Sequence, residues 1–280
     1  MEWLCNIFGY LLNFIYTFVK DYGLALILFS LVTKVLMLPL SIKQHKTLKK
    51  SAKVQKKLAE LQDKYSNDQE RLVQETMSLY KEEKMSPFSG CLSSILQIVL
   101  LLAMFFLVKE PLTYMLKLEP AQIEKYEKTV KTESAYSEIE VIKASRNNEE
   151  INVDIDMDFL GIDLSNVLMN SLNNWTAYII PILYVATSII STKLNSVSTT
   201  KKDEKQIVVN EKKSKKDDDE MVDDPVAEMN KNMRIMMPIM SISIALVVPL
   251  GLALYWLTNN ILMIGEKLVL NKVVKDEEEV

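Results

Sequence analysis

Apolar and polar residues in this chain are sorted into blocks. Uncharged runs cover residues 88–108, 164–192 and 235–265, and a fourth, 22–42, is broken by a single lysine, while nearly all other Lys, Asp and Glu fall between the runs. Segregation on this scale points to a membrane protein, because about 20 consecutive apolar residues cross the hydrocarbon core of a bilayer. The pattern predicts an all-α polytopic membrane protein with five transmembrane helices, an N-terminal interfacial helix and a cytoplasmic antiparallel helical hairpin.

Each block has its own periodicity. Within 1–20, Leu4, Ile7, Phe8, Leu11, Leu12, Ile15, Phe18 and Val19 form one helical stripe, with Asn6, Gly9, Tyr10, Asn13, Tyr16 and Thr17 largely opposite. A stripe with a polar back suits an amphipathic helix lying in the outer interface. Residues 21–42 make the first span. From 43 to 86 the chain turns polar, and Ser51, Val54, Leu58, Leu61 and Tyr65 recur at the spacing of a coiled-coil seam. Asn67, with Glu70 three residues on, predicts a capping box that opens a second helix striped by Leu72, Thr76 and Leu79. These two helices are expected to form a hairpin in water. A second span follows at 87–108, then an extracellular segment at 109–174.

In that outer segment Ile151, Val153, Ile155 and Met157 alternate with Asn152, Asp154, Asp156 and Asp158, which predicts a strand with a solvated acidic face. The aspartates begin like a calcium loop, but Phe159 and Ser165 stand where such a loop has Gly and Glu, so no metal site is expected. Residues 175–192 form the third span, with Pro181 expected to kink it. Residues 193–232 are a flexible charged cytoplasmic loop, too poor in apolar residues to bury a core. The last run has 31 residues, long for one span, and Pro249-Leu250-Gly251 in its middle predicts two short helices in a tight hairpin over 233–270. Flanking Arg234 and Lys267 would snorkel. An acidic cytoplasmic tail, 271–280, remains.

Charge orients this arrangement. Residues 43–84 carry 11 Lys or Arg against 7 acidic residues, whereas 109–174 carry 7 against 13. Positive residues concentrate on the cytoplasmic side, which puts the N-terminus outside and the C-terminus inside. The formal net charge of −4 says little about partners because the charges are so unevenly placed. Cys5 and Cys91 both lie in apolar or interfacial stretches and suggest packed thiols rather than a disulfide framework. Glu2 stands where a secretory signal would be basic, so the N-terminus is expected to be retained.

Lys34 is the candidate for chemistry. A cation near the middle of a span costs about 2.5–3.5 kcal/mol on insertion scales, so it is expected to face protein or a wet cavity, the alternative being a snorkelling side chain. An intramembrane protease would need a Ser with His, paired Asp residues or a zinc motif in the spans. The sole histidine is His45, in the polar hairpin, and no Asp falls in a span after Tyr22. A small transporter or channel with a buried lysine is the alternative that the sequence permits.

Four ordered blocks carry a resemblance to the YidC family of membrane protein insertases, bacterial type, which includes relatives in mitochondria and chloroplasts. They are SLVTKVLMLPLSIKQ, with Lys34 at the family's groove arginine and Pro39 at its proline; ERLVQETMSLYKEEKMSPFSGC, leading to Gln97 at its glutamine; AYIIPIL around Pro181; and PLGLALYWLTNNI, with Tyr255, Trp256 and Asn260. Departures are the lysine itself, Leu92-Ser93-Ser94 after Cys91, an outer insertion from about Glu119 to Met157, and a short tail ending DEEEV.

The resemblance implies an insertase and membrane chaperone of the bacterial cell membrane. It implies a hydrophilic groove in the inner half of the bilayer, open to lipid and cytoplasm and closed outside, with no cofactor and no nucleotide hydrolysis. Ser30 and Lys34 sit at i and i+4, and Gln97, Ser188 and Asn260 on other spans are expected to share the groove. For Ser30 and Gln97, interhelical hydrogen bonding is the competing role. Pro39, Pro181, Tyr255 and Trp256 are expected to be structural or packing residues. Lys49, Lys50, Lys53, Lys56 and Lys57 of the hairpin are the expected contact for a ribosome, targeting factor or nascent chain. Nascent membrane proteins, the lipid bilayer and the Sec translocon complete the implied partners, with no sequence-specific nucleic-acid binding.

Overall fold

The computed structural model describes residues 2–65, 68–83, 89–132, 134–171, 173–197 and 243–276. The expected charged loop from residue 198 onward, the first part of the last apolar run and the end of the acidic tail lie outside them. The described chain is predominantly helical, with one two-stranded hairpin.

Helix α1 (Glu2–Val19) and helix α2 (Tyr22–Lys64) meet at a two-residue joint. Lys20 adopts a left-handed conformation at φ 57°, and its N–H donates to the Tyr16 carbonyl at 2.8 Å, closing the end of α1. Asp21 then caps α2, its carboxylate accepting from the Leu24 N–H at 2.9 Å. Helix α2 is 43 residues long and continues through Pro39 without interruption. At 1.5 Å per residue it extends about 64 Å, far beyond a bilayer's apolar thickness. Its apolar portion is Tyr22–Thr47.

The face that α1 buries is rotated from the expected stripe: Phe8 and Leu12 are buried and Leu4, Leu11, Ile15 and Val19 pack against the core, but Ile7 and Phe18 are exposed. Cys5, Phe8, Gly9, Leu12 and Tyr16 are buried, while Trp3, Ile7, Tyr10, Phe14 and Phe18 form an exposed apolar stripe. Close approach selected the buried face. A Cβ on Gly9 would stand 1.8 Å from the Tyr114 carbonyl oxygen, so only glycine lets α1 lie against that turn. The Tyr16 hydroxyl also belongs inside, accepting from the Asp156 N–H at 2.8 Å.

Helix α3 (Gln69–Glu82) packs back along the end of α2, where Val54 and Leu79 are buried and Lys57 pairs with Glu83 at 2.5 Å. Its cap is Asp68, which accepts from the Arg71 N–H at 3.0 Å, one residue later than the expected Asn67. Helix α4 (Ser89–Lys109) carries the shorter apolar stretch Ile98–Lys109.

The segment between α4 and α8, expected to be extracellular, is compact and packs on α1 and α2. It contains helices α5 (Pro111–Tyr114), α6 (Pro120–Val130) and α7 (Ser137–Ser145), strands β1 (Asp158–Phe159) and β2 (Ile162–Asp163), and a 3-10 turn at Leu168–Asn170. Glu138 of α7 is buried, yet its carboxylate accepts from the N–H groups of Leu112 (2.6 Å) and Thr113 (3.1 Å) and from the Thr113 hydroxyl (2.6 Å). It satisfies donors that the short helix α5 leaves free. Burial raises its pKa above the usual carboxylate range despite these bonds.

Residues 151–157 show the expected alternation in burial, with Ile151, Ile155 and Met157 inside, but they do not form the expected strand. Their partners are individual groups: the Asp156 carbonyl accepts from the Tyr22 N–H at 3.0 Å, and the Met157 carbonyl from the Leu164 N–H at 2.8 Å. The sheet proper is the hairpin beyond them, where Leu160 and Gly161 both take positive φ, the requirement of a two-residue type I′ turn.

Helix α8 (Ile179–Val197) follows a 3-10 turn, Trp175–Tyr178. Pro181 therefore sits in the first turn of α8, where its missing N–H has no intrahelical partner to lose, so the expected kink is not required there. Residues 243–247 are helical, and the chain breaks at Val248-Pro249 before helix α9 (Leu250–Asp276). At 27 residues α9 is longer than expected and takes in most of the tail. Its first donors are met by the outer segment: Leu250 N–H donates to the Asn166 carbonyl at 2.8 Å and Gly251 N–H to the Leu164 carbonyl at 2.9 Å.

Candidate functional site

The ends of the helices fix a common level. A Cβ on Gly251 would lie 3.6 Å from the Tyr22 ring, so α2 and α9 start side by side and run in the same direction. Around this level Tyr22, Leu26, Phe29, Leu107, Leu112, Met115, Leu164, Leu250, Leu252 and Ala253 form a continuous buried core. It seals this end of the bundle.

Below the seal, α2, α4 and α9 part around a cavity of about 100 Å³, lined by Phe8 of α1 and by Ser30, Thr33, Lys34, Ser41, Gln44, Met104, Tyr255, Trp256 and Asn259 among others. Phe8 meets Phe29 edge-on at 5.8 Å, so the aromatic pair joins the cavity lining to the seal. Lys34 is 12 residues along α2 from Tyr22, which places it about 18 Å below the common level.

Lys34 is not a lone charge. Its Nζ lies 2.6 Å from Glu266 Oε2, with side-chain exposures of 22% and 11%. Glu266 is the first residue past the uncharged run of α9, and at about 1.5 Å per residue it stands about 22 Å below Gly251, within reach of the lysine stem. The second carboxylate oxygen, Glu266 Oε1, is buried with no hydrogen-bond partner among the described residues, and so is the Trp256 indole N–H. The two are ten residues apart on one helix, too far to satisfy each other. Trp256 packs at 5.7 Å against Tyr184 of α8.

The hydroxyls are partly spoken for. Ser30 donates to the Leu26 carbonyl at 2.7 Å and Thr33 to Phe29 at 2.8 Å, both within α2. Each keeps acceptor capacity toward the cavity. Of the expected groove residues, Ser30 and Lys34 are brought together. Ser188 and Asn260 are half-buried but are not among the lining residues; Asn259 occupies the cavity face instead. The Gln97 side chain lies outside the description. Tyr255 and Trp256 line the cavity as well as packing, and Pro39 is exposed. In the hairpin Lys50 and Lys57 are exposed, while the side chains of Lys49, Lys53 and Lys56 lie outside the description.

Thr33, Ser41, Gln44, Asn259 and Glu266 were missed by the sequence reading. Glu266 lies seven residues beyond Asn259, on the same helix face, and at nearly the depth of Lys34.

Two helices, Tyr22–Thr47 and Trp175–Thr192, are long and apolar enough to cross a membrane, and the first lines the cavity, consistent with an all-α membrane protein. The family model described as 60Kd inner membrane protein matches residues 14–278, and the chain belongs to that family. Among similar proteins is the "Membrane protein insertase YidC" of Syntrophus aciditrophicus, 28% identical over 272 residues that cover 97% of this chain and 37% of the relative. The protein of that name from Caldanaerobacter subterraneus is 37% identical over 36% of this chain and 49% of its own length. The one from Fusobacterium nucleatum is 25% identical over 94% of this chain and 93% of its own. The chain thus spans between about a third and a half of the first two relatives, and nearly all of the third.

Proposed function

We propose that the protein is a membrane protein insertase and membrane chaperone of the bacterial inner membrane, which guides nascent membrane proteins into the bilayer through the cavity between α2, α4 and α9 without nucleotide hydrolysis. The observation that carries this reading is the polar, ion-paired cavity about 18 Å below a sealed end. With a hydrocarbon core of about 30 Å, that depth falls in the half of the membrane away from the seal.

A polar segment crossing lipid leaves backbone groups unsatisfied, at several kcal/mol each. A segment admitted to the cavity meets hydroxyls, amides and an ion pair, and has only about 18 Å of apolar thickness left to cross. The substrate's apolar helix meanwhile leaves sideways into lipid, driven by removal of its surface from water. In this reading five spans run with the N-terminus outside and the C-terminus in the cytoplasm. The lysine-rich hairpin of α2 and α3 offers first contact to a ribosome, targeting factor or nascent chain, and the Sec translocon is a further partner. Relatives named as insertases support this assignment.

The test is rescue of growth in bacterial cells depleted of their own insertase. Rescue by the native chain, lost when α2 and α3 between Gln44 and Glu83 are replaced by a flexible linker, is the expected result. A native chain that reaches the membrane without rescuing growth refutes the assignment. Ion flux through reconstituted vesicles in the absence of any substrate would favour a transporter or channel.

A further inference from the structure

We propose that Glu266 is a resident counter-charge that sets which substrates the cavity admits: it occupies Lys34 until a substrate group displaces it, so that translocated segments of either charge sign are accepted. This rests on the insertase reading.

The geometry behind it is specific. Lys34 and Glu266 come from two different helices that start side by side, and their contact at 2.6 Å ties Glu266 to the one charged side chain that lines the cavity among the described residues. With the pair intact, the cavity carries no net charge from these two groups. A substrate carboxylate entering it competes with Glu266 for the Lys34 ammonium. A substrate lysine or arginine has a partner of its own, the Glu266 carboxylate, whose Oε1 is buried and has no hydrogen-bond partner among the described residues. An acceptor left unsatisfied at such a place favours an incoming donor. Asn259, two helical turns from Glu266 on the cavity face, and the Ser41 and Gln44 side chains offer neutral hydrogen bonds to either kind of segment. A lone cation would instead attract acidic segments and repel basic ones, and partial exclusion of water would strengthen both effects.

The experiment uses the full-length protein in proteoliposomes and three single-span substrates that differ only in a short translocated tail: neutral, with two aspartates, or with two lysines. Protease protection measures insertion, and the readout is the ratio of acidic-tail to basic-tail insertion. For the native protein the ratio should lie within about threefold of one. Glu266→Gln should raise it on the order of tenfold, and Lys34→Gln should lower it by a comparable factor. A purely structural role would lower insertion of all three substrates together and leave the ratio unmoved. The exchanged variant, Lys34→Glu with Glu266→Lys, restores a neutral pair and should return the ratio to the native value, whether or not the single variants accumulate. A ratio that follows the sign at position 34 alone in the exchanged variant, or that stays at the native value in Glu266→Gln, overturns the proposal while leaving the insertase reading standing. Failure of the native protein to insert any of the three overturns both.

Discussion

Replacing glycine by alanine at positions 9 and 265 should shift stability in opposite directions. Both glycines are helical, so alanine gains about 0.8–1 kcal/mol of intrinsic helix propensity at either site. At Gly265 nothing lies within 4 Å of the added methyl, and the gain should survive. At Gly9 the methyl would meet the Tyr114 carbonyl oxygen at 1.8 Å and its carbon at 2.6 Å, both backbone atoms that no rotamer change can move. Reaching even 3.0 Å requires α1 to retreat from the outer segment by about 1.2 Å, and overpacking of this kind costs about 1–3 kcal/mol before the propensity gain is credited. Cys5 is buried on the same face, its thiol donating to the Ala103 carbonyl, so lift-off of α1 exposes it. Thermal unfolding in detergent, followed with a thiol-reactive fluorophore in a Cys91→Ser background, therefore reads this contact. Gly9→Ala should lower the midpoint by about 2–6 °C and Gly265→Ala should raise it by about 1–4 °C. Equal shifts of the same sign would refute the packing of α1 against α5.

Other contacts give equally direct tests. Tyr16→Phe removes the acceptor for the Asp156 N–H and should cost about 1 kcal/mol, read as faster amide exchange at Asp156. Asp21→Ala uncaps α2 and should cost about 0.5–2 kcal/mol in detergent unfolding. Because burial raises the Glu138 pKa above its unfolded value, the folded outer segment takes up the proton first, and stability should rise as pH falls from neutral toward the ordinary carboxylate range. Glu138→Gln should abolish that slope in a melting series across pH, and a native slope of opposite sign would contradict the assignment. Single cysteines at Ser134 and Gln62 should label from outside and from the cytoplasm respectively, and labelling of both from one side would contradict the orientation.

Block segregation made the helical membrane character legible, because the cost of charge in hydrocarbon forces it on any spanning sequence. Lys34 stood out for the same reason. Its partner escaped because Glu266 follows the last uncharged residue of its run and so reads as a flank of the last span, like Lys267 beside it. Only the shared starting level of α2 and α9 shows that it reaches the same depth as Lys34. The edge of the α1 face is misplaced because hydrophobicity ranks Ile7 and Phe18 above Gly9 and Tyr16, while the contact selects for close approach and a hydroxyl. Pro181 illustrates a boundary effect: the apolar run places the proline inside a span, but the preceding residues form a 3-10 turn and the helix proper begins two residues before it. In residues 151–157 the alternation reported burial correctly, but a strand also needs a neighbour to pair with along its length, and the chain supplies only isolated partners.

Site-specific photocrosslinking during insertion tests the central claim most directly. A photoreactive amino acid would be placed at Thr33 or Asn259, which line the cavity, and at Val35 or Ile182, which are exposed on α2 and α8. With a single-span substrate arrested part-way, adducts to its polar translocated segment should form from Thr33 and Asn259 and not from Val35 or Ile182. Equal adducts from all four positions, or none from the cavity while insertion proceeds, would contradict a route through the cavity beside Lys34.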